Sequence, residues 1–522
     1  MLLVIAAITW NSIAHAQTIL HGKIIDAKGS PVPGISVKVK GITAGTATAN
    51  DGSFTLPVSS NSVLEISGVG FRPQDFSLNG QTEVIITLTG ANAQLDEVVV
   101  TALGVRREKR NLTYSTQEVK GDELLKSKEP NVVNALAGKV AGMQITSSSG
   151  TPGASSRIVI RGNTSIYGEN QALIVVDGVP INNDETGNLY SGPGTNRLSD
   201  IDPSTIESVN VLKGAAATAL YGSSGARGVV MITTKNGAAN RKPTLSFSQD
   251  LSFEKPLVPE VQTTYGQGDR GNFYNGEDRK TSAVWGPRMD TLKIDGKPAP
   301  VYNQMDLFFR TGVSSNSTAS VSGGGANSGY FASYSYFDQK GTVPQTDYKR
   351  HSVFAKFTNR ITDKFTSTVA ITYSNSTSNR KPEGYVLESP VWTIYTAPVS
   401  WNPLPYYNAD GTQRVYRFSR NNPYWVLDHI NNKATLNRFI PVVTLNYTPT
   451  NWLTVTERLG ADIYTEQSKY VEAPSDVLAS RGQIIDRDYN FRQFNNDLMV
   501  NAHKEFGKFN TNLLLGSNIY SN

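Results

Sequence analysis

KFTSTVAITYSNST, residues 364–377, decides the reading of this chain. Phe365, Ser367, Val369, Ile371 and Tyr373 fall on one face of an extended strand, apolar except for Ser367, and Thr366, Thr368, Ala370 and Thr372 fall on the other. A period of two over this length is a strand with two different environments. A strand that crosses a bilayer needs roughly 9–11 residues, and this run is long enough. Moving outward, eight more runs of the same kind appear, at 243–253, 317–325, 329–339, 349–360, 434–448, 452–465, 490–503 and 508–521. The links between them alternate between short, as in Ile361-Thr362-Asp363, and very long, as from Ser378 to Lys433. Short turns on one rim and long loops on the other are the asymmetry of a transmembrane β-barrel. Tyr, Phe and Trp gather near the run ends, where an interfacial girdle would sit.

The bulk numbers agree with this. The chain has 522 residues with 38% hydrophobic content, and its mean hydropathy is −0.31. No apolar stretch of about 20 residues follows the N-terminus, so a spanning helix is not expected. A barrel hides its apolar face by alternation and reads as polar in bulk. The 45 Gly, 23 Tyr and 19 Phe suit a β-rich protein. Cysteine is absent, which excludes disulfide frameworks and thiolate metal sites. The net charge of +5 is spread along the chain, so no nucleic-acid partner is expected.

Three segments precede the strand-rich region. Leu2–Ile8 is a short apolar run followed by Ala14-His15-Ala16, the pattern of a secretory signal over 1–16 with Gln17 as the mature start. No Lys or Arg stands ahead of the run, and the alternative is a buried helix of a folded domain. Residues 17–90 alternate through Ile35, Val37 and Val39, then Phe54 and Leu56, then Leu64 and Ile66, then Val84, Ile86 and Leu88. Gly, Asn and Pro turns separate these runs, which predicts a small β-sandwich. Residues 111–240 are mixed. Asn131–Val140 has helical spacing, Ser156–Gly162 alternates as a strand, and Leu173–Val176 runs into the hairpin signal Asp177-Gly178. Ile206–Lys213 and Gly228–Lys235 read as two more strands of a compact α+β domain.

Between sandwich and α+β domain lies a segment, 91–110, with the β-favouring run Leu95, Asp96, Glu97, Val98, Val99, Val100, Thr101. Such a run either closes the preceding sandwich or stays exposed, ready to add to the sheet edge of a partner.

No catalytic residues emerge. The five His (His15, His21, His351, His429 and His503) form no H-E-x-x-H pattern. Gly222-Ser223-Ser224-Gly225 is followed by Ala226, where a nucleophile elbow needs Gly. Pro73 breaks a dinucleotide fingerprint after Gly68-Val69-Gly70. Asp200 and Asp202 read as turn formers. Neither an enzyme nor a cofactor or metal site is expected.

Gly22-Lys23-Ile24-Ile25-Asp26, Pro33-Gly34-Ile35-Ser36-Val37 and Asp51-Gly52-Ser53-Phe54 resemble the carboxypeptidase regulatory-like domain. LDEVVVTALGVRREKRN (95–111) resembles the TonB box of SusC/RagA-type TonB-linked outer-membrane transporters. ALAGKVAGMQI (135–145), RIVIRGNTSI (157–166), ALIVVDGVPI (172–181) and the run 206–237 resemble their plug. The resemblance implies a mainly β chain: regulatory-like sandwich, linker with TonB box, α+β plug, then over 241–522 part of a 22-stranded antiparallel transmembrane barrel. Nine strands do not close such a barrel, since plugged ones use about 22, so a fragment or truncated gene model is expected. It also implies import of a bulky nutrient, a glycan or an oligopeptide, across the outer membrane of a Gram-negative cell. The implied partners are TonB with its inner-membrane energising complex, a SusD-like surface lipoprotein, and outer-membrane lipid. A ferric-siderophore or cobalamin receptor is the alternative within this class, and a signalling receptor or adhesin the alternative outside it. Arg157 and Arg161 are candidates to pair with carboxylates of the barrel wall, or else they lie on a solvated strand face.

Overall fold

The computed structural model describes residues 18–522 apart from 27–28, 42–43, 60–61, 69–70, 72, 89–97, 101–105, 109–115, 128, 130, 164, 167–168, 190–191, 214–218, 277–278, 385 and 507–508. The expected signal segment 1–16 therefore lies outside the described residues, as do Leu95, Asp96, Glu97 and Thr101.

The first seven strands are β1 (Thr18–Asp26), β2 (Ser36–Val39), β3 (Gly45–Ala47), β4 (Ser53–Val58), β5 (Val63–Ser67), β6 (Gln74–Ser77) and β7 (Glu83–Leu88). They form two sheets, β4-β1-β7 and β3-β2-β5-β6. Every apolar position picked out by the alternation, from Ile35 to Leu88, is buried in one core that also holds Leu20, Ile24 and Leu78. Gly22 on β1 has a structural reason: the Phe54 ring lies where its Cβ would be. A further pair, β8 (Val98–Val100) and β9 (Arg106–Glu108), makes a two-stranded sheet.

The plug is built on five strands in the order β10-β17-β18-β13-β14. In chain order its strands are β10 (Thr116–Lys120), β11 (Met143–Ser147), β12 (Ser156–Ile160), β13 (Leu173–Val176), β14 (Val179–Ile181), β15 (Glu185–Thr186), β16 (Thr195–Asn196), β17 (Ile206–Leu212) and β18 (Val229–Thr234). Asp177 and Gly178 turn the β13–β14 hairpin, both with positive φ (47° and 89°), as a two-residue turn requires. The helix expected over 131–140 is shorter, Val132–Ala135, with Asn131 capping the Val133 N–H. Gly138, at φ 73°, leaves the helical region and turns the chain towards β11.

The remaining strands are β19 (Thr244–Glu254), the small hairpins β20 (Gly268–Asp269) with β21 (Asn272–Phe273) and β22 (Lys293–Ile294) with β23 (Lys297–Pro298), then β24 (Gly312–Gly323), β25 (Ser328–Lys340), β26 (Asp347–Thr362), β27 (Phe365–Arg380), β28 (Ile430–Thr450), β29 (Leu453–Glu472), β30 (Gln483–Phe506) and β31 (Phe509–Ser521). All but the small hairpins join one antiparallel sheet of nine strands in chain order, the wall. Each expected run has its strand. Val369, Ile371 and Tyr373 of β27 are exposed on the outer face, with Val353, Phe357, Phe439 and Leu459 of other wall strands, while Ala370 and Ser374 are buried. The buried face packs on the plug: Phe331, Phe354, Ala370, Ile440 and Val442 of the wall share a core with Ile158, Ile174, Val179 and Ile232.

Candidate functional site

The contact between plug and wall is charged as well as apolar. The short plug segment after β16 supplies one side. Residues Arg197–Asp200 form a 3-10 turn, and Asp202 starts another by accepting the Ser204 N–H at 3.0 Å. The second turn starts there because Pro203 fixes φ and Asp202 offers a carboxylate to the free N–H that follows it. The wall supplies the other side from inward positions of adjacent strands: Arg350 on β26, Arg380 at the end of β27, Arg438 on β28, and Asp462 and Glu466 on β29.

Arg438 is the centre. Its Nε and Nη2 donate to the two oxygens of Asp462 at 2.8 and 2.7 Å. Its Nη1 donates to Asp200 Oδ2 at 3.2 Å and to the Arg197 carbonyl. The same pair holds plug residue Asn182 from both ends of its peptide unit: Arg438 Nη2 donates to its carbonyl at 2.9 Å, and its N–H donates to Asp462 Oδ2 at 2.9 Å. Arg197 reaches back across the gap, 3.6 Å from Glu466 and 3.5 Å from Asp200. The guanidinium groups of Arg197 and Arg438 lie 5.5 and 5.6 Å from the Tyr464 ring centroid. Arg350 Nη1 donates to the Ser199 carbonyl, with Asp202 at 3.9 Å. Arg380 Nη1 donates to the carbonyls of Gly187 and Pro193, both at 3.0 Å.

Four cations (Arg197, Arg350, Arg380, Arg438) and four carboxylates (Asp200, Asp202, Asp462, Glu466) meet here, and all eight are buried. Equal numbers make the cluster neutral, which is what allows it to be buried. Such a cluster is costly to desolvate and strongly dependent on geometry, so it holds while registered and loses its value once the partners shift or water enters. A purely apolar joint would lack that property.

Below the cluster the β13–β14 hairpin is seated on the wall. Lys356 Nζ meets Asp177 Oδ2 at 3.1 Å and Thr234 Oγ1 at 3.0 Å. Arg458 covers Gly178, and a Cβ at Gly178 would strike its guanidinium. Gly460 faces Val179 just as closely.

The residues singled out in the sequence lie elsewhere. Arg157 sits on β12 opposite Thr146 and is exposed. Arg161 is exposed with φ 59°, its N–H donating to the Gly142 carbonyl at 2.8 Å. Its charge, after burial, holds the Lys213 ammonium below its ordinary range. Among the described residues neither has a wall carboxylate as a salt-bridge partner. Val98–Val100 form β8. Asp200 and Asp202, read as turn formers, do form turns, and they also face the wall arginines. The sequence signal for the wall residues was available: Arg438, Asp462 and Glu466 interrupt alternating runs at inward positions, where an ionisable residue in a membrane strand marks a polar lumen or a site. Among the described residues no three His, Asp or Glu side chains group as metal ligands.

Comparison with known proteins agrees with this architecture. The TonB-dependent receptor plug domain matches residues 108–229, and the CarboxypepD_reg-like domain matches 20–100. The chain is 32% identical to the TonB-dependent receptor SusC of Bacteroides thetaiotaomicron over 467 residues, 86% of this chain and 44% of that protein. It is 29% identical to the TonB-dependent receptor P26 of Formosa agariphila over 505 residues, 95% of this chain and 48% of that one. The chain thus spans about half the length of these relatives. Among solved structures, the RagAB peptide importer in its open-open state superposes with a TM-score of 0.62 at 22% identity, over 81% of this chain and 49% of that one. This likeness concerns the fold. The relatives are receptors rather than enzymes.

Proposed function

We propose that this chain, which belongs to the SusC/RagA type of TonB-dependent outer-membrane receptors, carries the movable gate of an importer for a bulky nutrient, a glycan or an oligopeptide. The observation that carries this reading is the buried, charge-balanced cluster between plug and wall. It is a joint built to be released.

In this reading the division of the chain is a signal segment to 16, a sandwich over 17–90, a tether over 91–110, the plug over 111–240 and the wall from 241. Substrate arriving at the long-loop rim loosens the plug and frees Leu95–Thr101 to the periplasm. TonB, driven from the inner membrane, adds to that segment as a strand. Main-chain pairing asks little of side chains, which suits Val98-Val99-Val100. These three residues already take strand form against the three-residue β9, and so short a pairing exchanges readily for a longer one. Tension on the tether enters the plug at β10, breaks the register of Arg197 and Asp200 with the wall, and opens a path. A SusD-like lipoprotein is the partner at the outer rim. Arg157 and Arg161, exposed on the plug, are proposed to meet carboxylates in wall strands beyond those of this chain.

Deleting Leu95–Thr101 from the complete receptor should abolish uptake while leaving substrate binding at the cell surface intact. Uptake at the parent rate in the deletion strain would remove the mechanism.

A further inference from the structure

A second cavity lies apart from the charged cluster, at the rim where the long loops gather. It measures about 500 Å3 and is bounded by plug residues Ser148–Pro152 on one side and by Phe309, Val343, Glu383, Trp392 and Tyr395 on the other. Trp392 and Tyr395 belong to the helix Pro390–Tyr395, which starts on Pro390 with Ser389 as its cap. The size fits a small-ligand site, and so does a mostly apolar lining with few polar groups.

The polar groups decide what fits. Thr346 donates its hydroxyl to the Val343 carbonyl at 2.7 Å, Ser389 Oγ accepts the Trp392 N–H at 3.3 Å, and Ser149 Oγ accepts the Thr151 N–H at 2.8 Å. Each of these three hydroxyls already has a partner within the chain. Saccharide recognition needs planar amide, carboxylate or guanidinium groups beside an aromatic face, because vicinal hydroxyls are bound in pairs. Among the described residues of the lining Glu383 is the one such group, and no Lys, Arg, His, Asn or Gln accompanies it. With no cation, the cavity also gives an acidic ligand nothing to pair with. Burial holds Glu383 above its ordinary range, so an incoming positive charge relieves it.

We propose that this cavity takes one apolar side chain, aliphatic or aromatic, of an oligopeptide cargo, while Glu383 meets a positive charge on the same peptide. The inference rests on the import reading and narrows its substrate class. It also gives the cargo a direct hold on the plug. The floor, Ser148–Pro152, is plug backbone, tied by the Ser148 N–H to the Ser155 carbonyl at 2.9 Å and by the Ser155 hydroxyl to Glu185 at 2.6 Å. A side chain in the cavity therefore touches plug and outer loops at once.

The test uses the complete receptor in detergent micelles and two labelled probes, the peptide Lys-Gly-Phe-Gly-Gly and maltohexaose, followed by fluorescence anisotropy. Peptide affinity should fall about tenfold in Tyr395→Ala, on the scale of losing an aromatic anchor, and about fivefold in Glu383→Gln. Replacing Phe by Asp in the peptide, which leaves the receptor untouched, should abolish binding. Maltohexaose binding should not respond to either receptor variant. Equal binding of the Phe and Asp peptides, or loss of maltohexaose binding in Tyr395→Ala, overturns the assignment. Uptake that still needs TonB under that result would show that the cavity inference alone has failed. Uptake independent of TonB would remove the reading beneath it.

Discussion

The N-terminal sandwich and the joint between plug and wall bury their side chains in opposite ways. The sandwich core is Leu20, Ile24, Val37, Leu56, Leu64, Ile66 and their neighbours, with no charged group among them. The joint buries four arginines and four carboxylates beside its apolar contacts. Apolar burial is non-directional and survives small shifts. Ion pairs in a dry site are directional, and a displacement of about 1–2 Å replaces attraction by an unpaired buried charge. In the proposed reading the first region stays folded throughout, and the second holds until it is moved.

The comparison can be broken most directly at Arg438. Changing Arg438→Met leaves Asp462 buried without its cation and Asp200 with Arg197 alone, and should weaken plug docking by about 3–5 kcal/mol. Hydrogen exchange of β17 and β18 in the complete receptor would show it, together with leakage of large antibiotics into cells. Combining Arg438→Met with Asp462→Leu removes one charge of each sign and leaves the cluster neutral, so docking should return while uptake stays slow. Normal uptake by that double variant would mean that the charges have no role in release.

Next in size is the sandwich. Leu64→Ala should cost about 2–4 kcal/mol through lost burial and a residual cavity. The loss should be confined to exchange within residues 18–88, with plug docking unchanged. If β17 and β18 lost protection as well, the two regions would not be independent in the way their chemistry suggests.

The smallest effect concerns a buried charge that forms no salt bridge among the described residues. Lys381, just beyond β27, donates to the carbonyls of Leu427 at 2.6 Å and Ile430 at 2.7 Å. Burial pushes its ammonium down to about 8. Between that value and the ordinary lysine range of about 10.4 the unfolded chain binds the extra proton. Stability of the loop 381–430 should therefore rise as pH climbs through this window, and be pH-independent in Lys381→Met. Limited proteolysis of the loop from pH 7 to pH 10.5 measures it, and a falling trend would contradict the sign.

The wall was legible in the sequence where lipid and plug impose different demands on the two faces. Within 364–377 the alternation is nearly complete, and the strand is there. Its end was not legible, because β27 runs on to Arg380 through Ser376, Thr377, Ser378 and Asn379, polar on both faces. β28, β29 and β30 also run past their expected limits. The helix Pro423–His429 was hidden inside a long link, although Asn422 and Pro423 mark its start. The joint was half legible. Asp200 and Asp202 stood out as turn residues, but their wall partners, Arg438 and Arg350, lie 238 and 148 positions away, on a register that only strand pairing supplies. Arg157 and Arg161 were conspicuous because they flank an alternating run. Conspicuous position in a strand does not say what stands opposite.

The hairpin seat has one more consequence. Gly178 lies under Arg458, and Gly460 lies against Val179, with no space for a methyl group at either place. A fit this close acts as a gauge of position: the hairpin comes this near to β29 only where a side chain is missing on each side. The two glycines, 282 positions apart, thus fix where along the wall the hairpin can rest.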